Sequence, residues 1–270
     1  MKTNRVISVF CLLLLSLLMA AEATAFDKEQ VTESDTLMND ITGRVGLDFS
    51  FKVCRNLYVD IENSLRFRDD FRTFDRNYLT GSVSYKPIRY FKAGAGYTFM
   101  SIWHDGKKST GYRKYWDLRH RAHADVSGIL PVGRWKFTLR ERAIATFRTL
   151  DYDPLEKVSP AFVLRSKISA EYTSRRLPLQ PYVSVELSNT LNVPEYVSGN
   201  YIEEIRNKVG VKWRLTRRSR LDFYYRLDLA QKKDVDIDYK KDKVTIKGVD
   251  IMTERSFVHI FGITYSFDYH

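Results

Sequence analysis

Residues 221–229 read LDFYYRLDL. Leu221, Phe223, Tyr225, Leu227 and Leu229 alternate with Asp222, Tyr224, Arg226 and Asp228. Successive strand side chains point to opposite faces, so a period of two predicts a strand with one apolar and one polar face. The pattern repeats upstream. Val209, Val211 and Trp213 oppose Lys208 and Lys212, and Val183, Val185 and Leu187 oppose Ser184 and Glu186. Phe162, Leu164 and Ile168 oppose Arg165, Lys167 and Glu171. Trp135, Phe137, Leu139, Ala143, Ala145 and Phe147 oppose Arg140 and Arg142, and Leu118, Ala122 and Ala124 oppose Arg119, Arg121 and Asp125. Farther back, Leu57, Val59, Ile61, Leu65 and Phe67 oppose Glu62 and Arg66, and Val45, Leu47, Phe49 and Phe51 oppose Arg44 and Asp48. Downstream, the chain closes on Phe257, Phe261, Ile263, Tyr265, Phe267 and Tyr269.

The connections alternate in length. Short turns fall near 52–56, 86–89, 131–134, 173–178 and 216–219. Longer polar loops fall near 69–75, 101–115, 150–159, 191–203 and 230–254. Short turns on one side and long loops on the other are the layout of an outer-membrane barrel. The expected fold is all-β: a transmembrane, antiparallel, up-and-down barrel with short periplasmic turns and longer extracellular loops. Residues 42–270 form the barrel. About eleven strands can be counted. Bacterial barrels usually have an even number, so the expectation is about twelve, with ten as the alternative. Residues 26–41 supply a weak first strand or a segment passing through the lumen.

The 270 residues include 44 Lys+Arg and 33 Asp+Glu, for a net charge of +11. A mean hydropathy of −0.36 with 29% charged residues excludes a bundle of apolar membrane helices. Lys2 and Arg5 precede an apolar run over 7–21, and Ala23-Thr24-Ala25 is a small-x-small site. Residues 1–25 therefore read as a cleaved signal peptide. Outside it Cys54 is the single cysteine, so neither an internal disulfide nor a cysteine metal site is expected.

Alternation alone fits a soluble barrel with an apolar interior as well as a membrane barrel with an apolar exterior. Aromatic residues favour the membrane, because amphipathic rings gather at lipid–water interfaces. Phe51, Tyr58, Tyr85, Tyr90, Phe91, Trp135, Tyr172, Tyr182 and Trp213 lie beside short turns. Phe67, Phe99, Trp103, Trp116, Phe147 and Tyr201 lie toward the long loops. Phe261, Ile263, Tyr265 and Phe267 in the last strand are similar to the assembly signal of outer-membrane barrels. Expected partners are outer-membrane lipid, which Arg175, Arg176, Arg217 and Arg218 would meet, and the barrel assembly machinery.

Other constellations carry less. His123, Asp125 and Ser127 share a strand face, but a triad needs His between acid and nucleophile, and here Asp125 stands between. His120 and His123 point to opposite faces and make no metal pair. Asp234, Asp236 and Asp238 begin like a calcium loop, but Tyr239 and Thr245 occupy the positions of its glycine and glutamate. That segment reads better as a hairpin around 240–243. No enzyme, cofactor or metal is expected. The basic residues are interleaved along strands, so nucleic acid is not an expected partner either.

The arrangement resembles a bacterial outer-membrane family known chiefly from the Bacteroidetes and carried as a domain of unknown function. The features that carry the resemblance are Glu62 with Arg66 and Arg68, Gly81 to Tyr85 before a tight turn, and Gly96-Tyr97 after it. Arg119/Arg121, Arg140/Arg142 and the Tyr-rich last strand complete it. The resemblance implies a barrel in the outer membrane and no particular activity.

The strongest functional lead is a basic ladder: Arg66, Arg119, Arg121, Arg140, Arg142, Arg165, Lys167, Lys208, Lys212 and Arg226 on polar strand faces. Like charges lining a lumen attract small anions. Glu62, Asp125, Glu171, Glu186, Asp222 and Asp228 are their candidate acidic partners. Three roles follow: a narrow anion-preferring pore or solute-binding barrel, a non-conducting barrel acting through its outer loops, or, more weakly, a membrane-embedded lipid enzyme using Ser127.

Overall fold

A computed structural model describes residues 31–104, 114–150, 153, 155–174, 177–194, 196–197, 199–240 and 246–269. The signal-peptide reading and Arg175 and Arg176 fall outside these residues. Eleven strands form one closed barrel: β1 (Val31–Cys54), β2 (Leu57–Arg68), β3 (Thr73–Ile88), β4 (Phe91–His104), β5 (Tyr115–Val132), β6 (Trp135–Arg148), β7 (Ala161–Tyr172), β8 (Leu179–Thr190), β9 (Tyr201–Arg214), β10 (Ser219–Tyr239) and β11 (Ile246–Tyr269).

Each strand pairs antiparallel with its sequence neighbour, and β1 closes the ring parallel to β11, from Val31↔Val249 to Phe51↔Tyr269. The count is eleven among the described residues, against the twelve expected. Directions alternate around a meander, so an odd number returns to its start with one pair running the same way. That parallel seam makes a further strand unnecessary. Residues 31–41 run on as the outer part of β1, and the two ends of the described chain lie at opposite ends of the barrel.

The short turns are built locally. Asn56 and Gly133 take positive φ at the β1–β2 and β5–β6 turns, a region glycine enters without steric cost. At the same end the Thr173 amide donates to the Arg134 carbonyl, and the Asp268 amide to Arg218.

The apolar parity faces outward. Leu47, Val83, Val183, Val209 and Phe223 are all more than two-fifths exposed, while Arg226, Asp228 and Glu186 are buried. Side chains expected to face water in a soluble barrel thus line the interior. Glycines on the inner face make room for rings. A Cβ at Gly210 would meet the Tyr182 hydroxyl at 2.7 Å, and one at Gly262 would enter the Tyr224 ring. Tyr182 therefore belongs to the lumen, where it donates to Asp222 at 2.8 Å, and not to the aromatic belt expected for it.

Beyond Ala230, β10 pairs only with β11, and β11 with the outer part of β1. The long loop expected over 230–254 is mostly a three-stranded ribbon. Its nine β10 residues, 231–239, would reach ~30 Å at the usual rise per residue. Val235, Ile237, Val249 and Ile251 are buried there with Val197, and Leu155, Val193 and Tyr196 pack on them. The Ile237 amide donates to Glu156 at 3.2 Å, and the Tyr239 hydroxyl donates to Asp153. The apolar parity of β10 continues past the rim, where loop side chains cover it.

Candidate functional site

The even residues of β1, β2, β3, β6, β8, β9 and β10 and the odd residues of β5 and β7 face the lumen. They surround a central chamber of about 300 Å³. Ten of its lining residues are Arg or Lys; the carboxylates are Glu62 and Glu186. Of the sequence-predicted ladder, Arg66, Arg121, Arg140, Arg142, Arg165, Lys167, Lys208 and Arg226 line this chamber. Arg119 lines a second cavity of about 150 Å³ nearer the long loops, with Arg148, Lys157, Lys232 and Lys233. Arg121 and Arg165 border both spaces, so a continuous basic wall leads inward. Lys212 lies toward the short turns, bonded to Glu171.

Five of the six predicted acids find partners. Asp125 accepts from Arg142 at 2.9 Å, Glu171 from Lys136 at 2.9 Å, and Asp222 from Lys208 at 3.1 Å. Asp228 accepts from Arg226 at 2.5 Å. Glu186 on β8 bridges Arg140 on β6 at 3.1 Å and Arg206 on β9 at 2.5 Å. Two of these interactions skip a strand: Arg140–Glu186 passes over β7, and Lys212–Glu171 passes over β8. Strand curvature brings such residues together as chords across the lumen. Glu62 lies beside Asp48 in the β1–β2 register and makes no ion pair among the described residues.

The remaining cations are not balanced. Among the described residues Arg44, Arg66, Arg121, Arg165 and Lys167 have no carboxylate ion pair. Arg66 stacks on the Tyr78 ring, 4.3 Å to the centroid, and Arg121 donates to Thr146 at 3.1 Å. The Nε atoms of Arg44, Arg66 and Arg165 and Nη2 of Arg44 are buried without an acceptor. Buried donors and like charges of this kind are costly when unpartnered.

Sequence reasoning missed Arg206, Glu204 and Glu141. The first two lie between the loop read to 203 and the alternating run read from Lys208; β9 in fact begins at Tyr201, and Arg206 bonds both Glu204 and Glu186. Glu141 interrupts the apolar series of β6 between Leu139 and Ala143, a gap that could have been noticed. It lies on the outer face, buried, accepting from Ser166 at 2.5 Å.

The other sequence candidates separate. His123 lies in the lumen over Gly96, where a Cβ would meet its ring at 2.6 Å, while Asp125 is held by Arg142. His120 faces outward, its Nδ1 hydrogen-bonded to the Tyr97 hydroxyl. Asp234 pairs with Lys232 on the ribbon. No cluster of His, Cys, Asp and Glu among the described residues could hold a metal ion. Phe261, Ile263, Tyr265 and Phe267 occupy the outer face of β11, between β10 and β1.

These features define a class: a closed all-β barrel with a charged interior and an apolar exterior. A family model described as "Protein of unknown function (DUF2490)" matches residues 44–237, from the lumen arginine of β1 to the ribbon end of β10. The chain belongs to that family. No curated protein matches it.

Proposed function

We propose that this protein is an outer-membrane β-barrel with a narrow, anion-preferring lumen. The observation that carries the reading is the imbalance in the central chamber: of its ten cationic side chains, Arg44, Arg66, Arg121, Arg165 and Lys167 have no carboxylate ion pair among the described residues. Eight-stranded barrels are filled by side chains, whereas sixteen to eighteen strands leave an open channel. Eleven strands lie between, in keeping with a constricted path.

The outer wall supports the membrane setting. On β6 the outward series runs from Trp135 to Phe147, ~30 Å along the barrel axis at the usual rise and tilt, matching a hydrocarbon layer. Trp135 contacts Tyr172 at one end, with ring centroids 5.1 Å apart, and Trp103 contacts Trp116 toward the other at 4.9 Å. Lipid head groups would meet Arg217 and Arg218, and the assembly machinery would read β11. This reading includes no catalytic step and no cofactor.

The test is single-channel recording of the refolded barrel in a planar bilayer under a salt gradient. A steady current with an anion-selective reversal potential is the expected result. Cation selectivity, or silence from protein shown to be folded and inserted, would overturn it. A second reading has its own observation. The ordered ribbon, with Val235 and Ile251 packed under the loops, suits a non-conducting barrel that acts through a surface partner, and silence would favour it.

A further inference from the structure

We propose that the chamber is a binding site for one small multivalent oxyanion of the phosphate type. This rests on the anion-preferring lumen and names what that lumen selects. The first argument is charge. Arg44 and Arg66 come from β1 and β2, while Arg121, Arg165 and Lys167 come from β5 and β7. None makes a carboxylate ion pair among the described residues, although Glu186 stands opposite Lys167 in the β7–β8 register, so like charges from separate parts of the wall converge on one space. A halide brings one negative charge. A phosphate-type anion brings two or more, nearer what five unpaired cations require.

The second argument is donor geometry. Four of the five cations are arginines, whose planar forks match the paired oxygens of phosphate or carboxylate groups. Among the described residues the buried Nε atoms of Arg44, Arg66 and Arg165 lack an acceptor, as do those of Arg140, Arg142, Arg206 and Arg226 around the same space. A spherical ion cannot accept from several forks with directed lone pairs, but an oxyanion can. Glu186 shows the same chemistry inside the chain, two oxygens serving Arg140 and Arg206. The third argument is size. At about 300 Å³ the space is at the lower end of ligand pockets, which suits a small solute.

The experiment titrates the refolded barrel in detergent, at fixed ionic strength, with pyrophosphate, orthophosphate and chloride, following heat of binding and thermal unfolding. Pyrophosphate should bind at least tenfold more tightly than chloride and raise the melting temperature. Arg44→Gln and Arg165→Gln should each weaken pyrophosphate at least tenfold, yet leave the ligand-free barrel as stable or more so, because each removes an unpaired buried charge. Equal affinity for chloride and pyrophosphate, no binding by the unmodified protein, or unaltered binding by both variants would overturn the proposal. If the variants do not fold, the titration of the unmodified protein still decides. Anion-selective current without pyrophosphate binding removes this inference and leaves the pore. Pyrophosphate binding without current removes the pore and leaves the site.

Discussion

On the outer wall of the barrel, the Ser166 hydroxyl of β7 donates to the Glu141 carboxylate of β6 at 2.5 Å. Glu141 is 6% exposed, and its other oxygen is buried without a partner. A polar pair halfway along an apolar face is costly to half-remove. Ser166→Ala should therefore destabilise the barrel by about 1–3 kcal/mol, since it leaves Glu141 without its donor. The double variant Glu141→Leu/Ser166→Ala removes both partners and should recover that loss or exceed it. Urea unfolding of both proteins, refolded in the same lipid, measures the difference. A double variant less stable than Ser166→Ala would show that the pair is a net gain.

Glu186 bridges two of the chamber's arginines, Arg140 and Arg206. Glu186→Gln keeps the volume and removes the charge. The variant should lose about 3 kcal/mol or more of stability, the range for breaking a buried ion pair. In the proposed anion-preferring lumen it should also become more anion-selective, because Arg140 loses its carboxylate partner while Arg206 keeps Glu204. Reversal potentials and denaturant midpoints, taken on the same preparation, test both halves. Unchanged selectivity would mean that Glu186 does not face the ion path.

The Tyr224 ring lies over Gly262, and the Lys208 ammonium lies 3.6 Å from the ring centroid. Gly262→Ala puts a methyl group where the ring sits, so the Tyr224 side chain must shift from its place beside Lys208. Overpacking of this kind costs about 1–3 kcal/mol. Gly81 faces outward with open space at its Cβ, so Gly81→Ala should be nearly neutral and serves as the control. Equal losses from the two substitutions would count against the packing argument.

On the ribbon, donation of its proton to Asp153 pushes the Tyr239 phenol up to about 12. The unfolded value is about 10, so folding favours the protonated phenol. Its contribution to docking the ribbon on Asp153 is complete below pH 10 and is lost as pH rises from 10 to 12. Protection factors of ribbon amides, taken relative to the base-catalysed intrinsic rate, should fall across that window, and Tyr239→Phe should show the lower protection already at pH 8. Protection factors unchanged across that window would place the ribbon's attachment in the Val235–Ile251 cluster alone.

The alternation of residues such as Leu221 to Leu229 determined by itself that the chain forms strands, where they run and which side chains share a face. The reason is local: successive side chains point oppositely whatever the neighbours do. Even the position of Glu141 on the apolar face was readable, as a break in that series. Only the tertiary structure decided that the apolar face is the outer one, because both sides of a closed sheet satisfy the same period. It also decided that eleven strands close through a parallel β1–β11 seam. Closure depends on a register between residues more than 200 positions apart, such as Val45 and Ile263, which no local pattern records. The same holds for the chamber. That Arg140 reaches Glu186 across β7, while Arg44, Arg66 and Arg165 make no carboxylate ion pair among the described residues, follows from wall curvature and inter-strand stagger. Those relations are set by the closed ring as a whole.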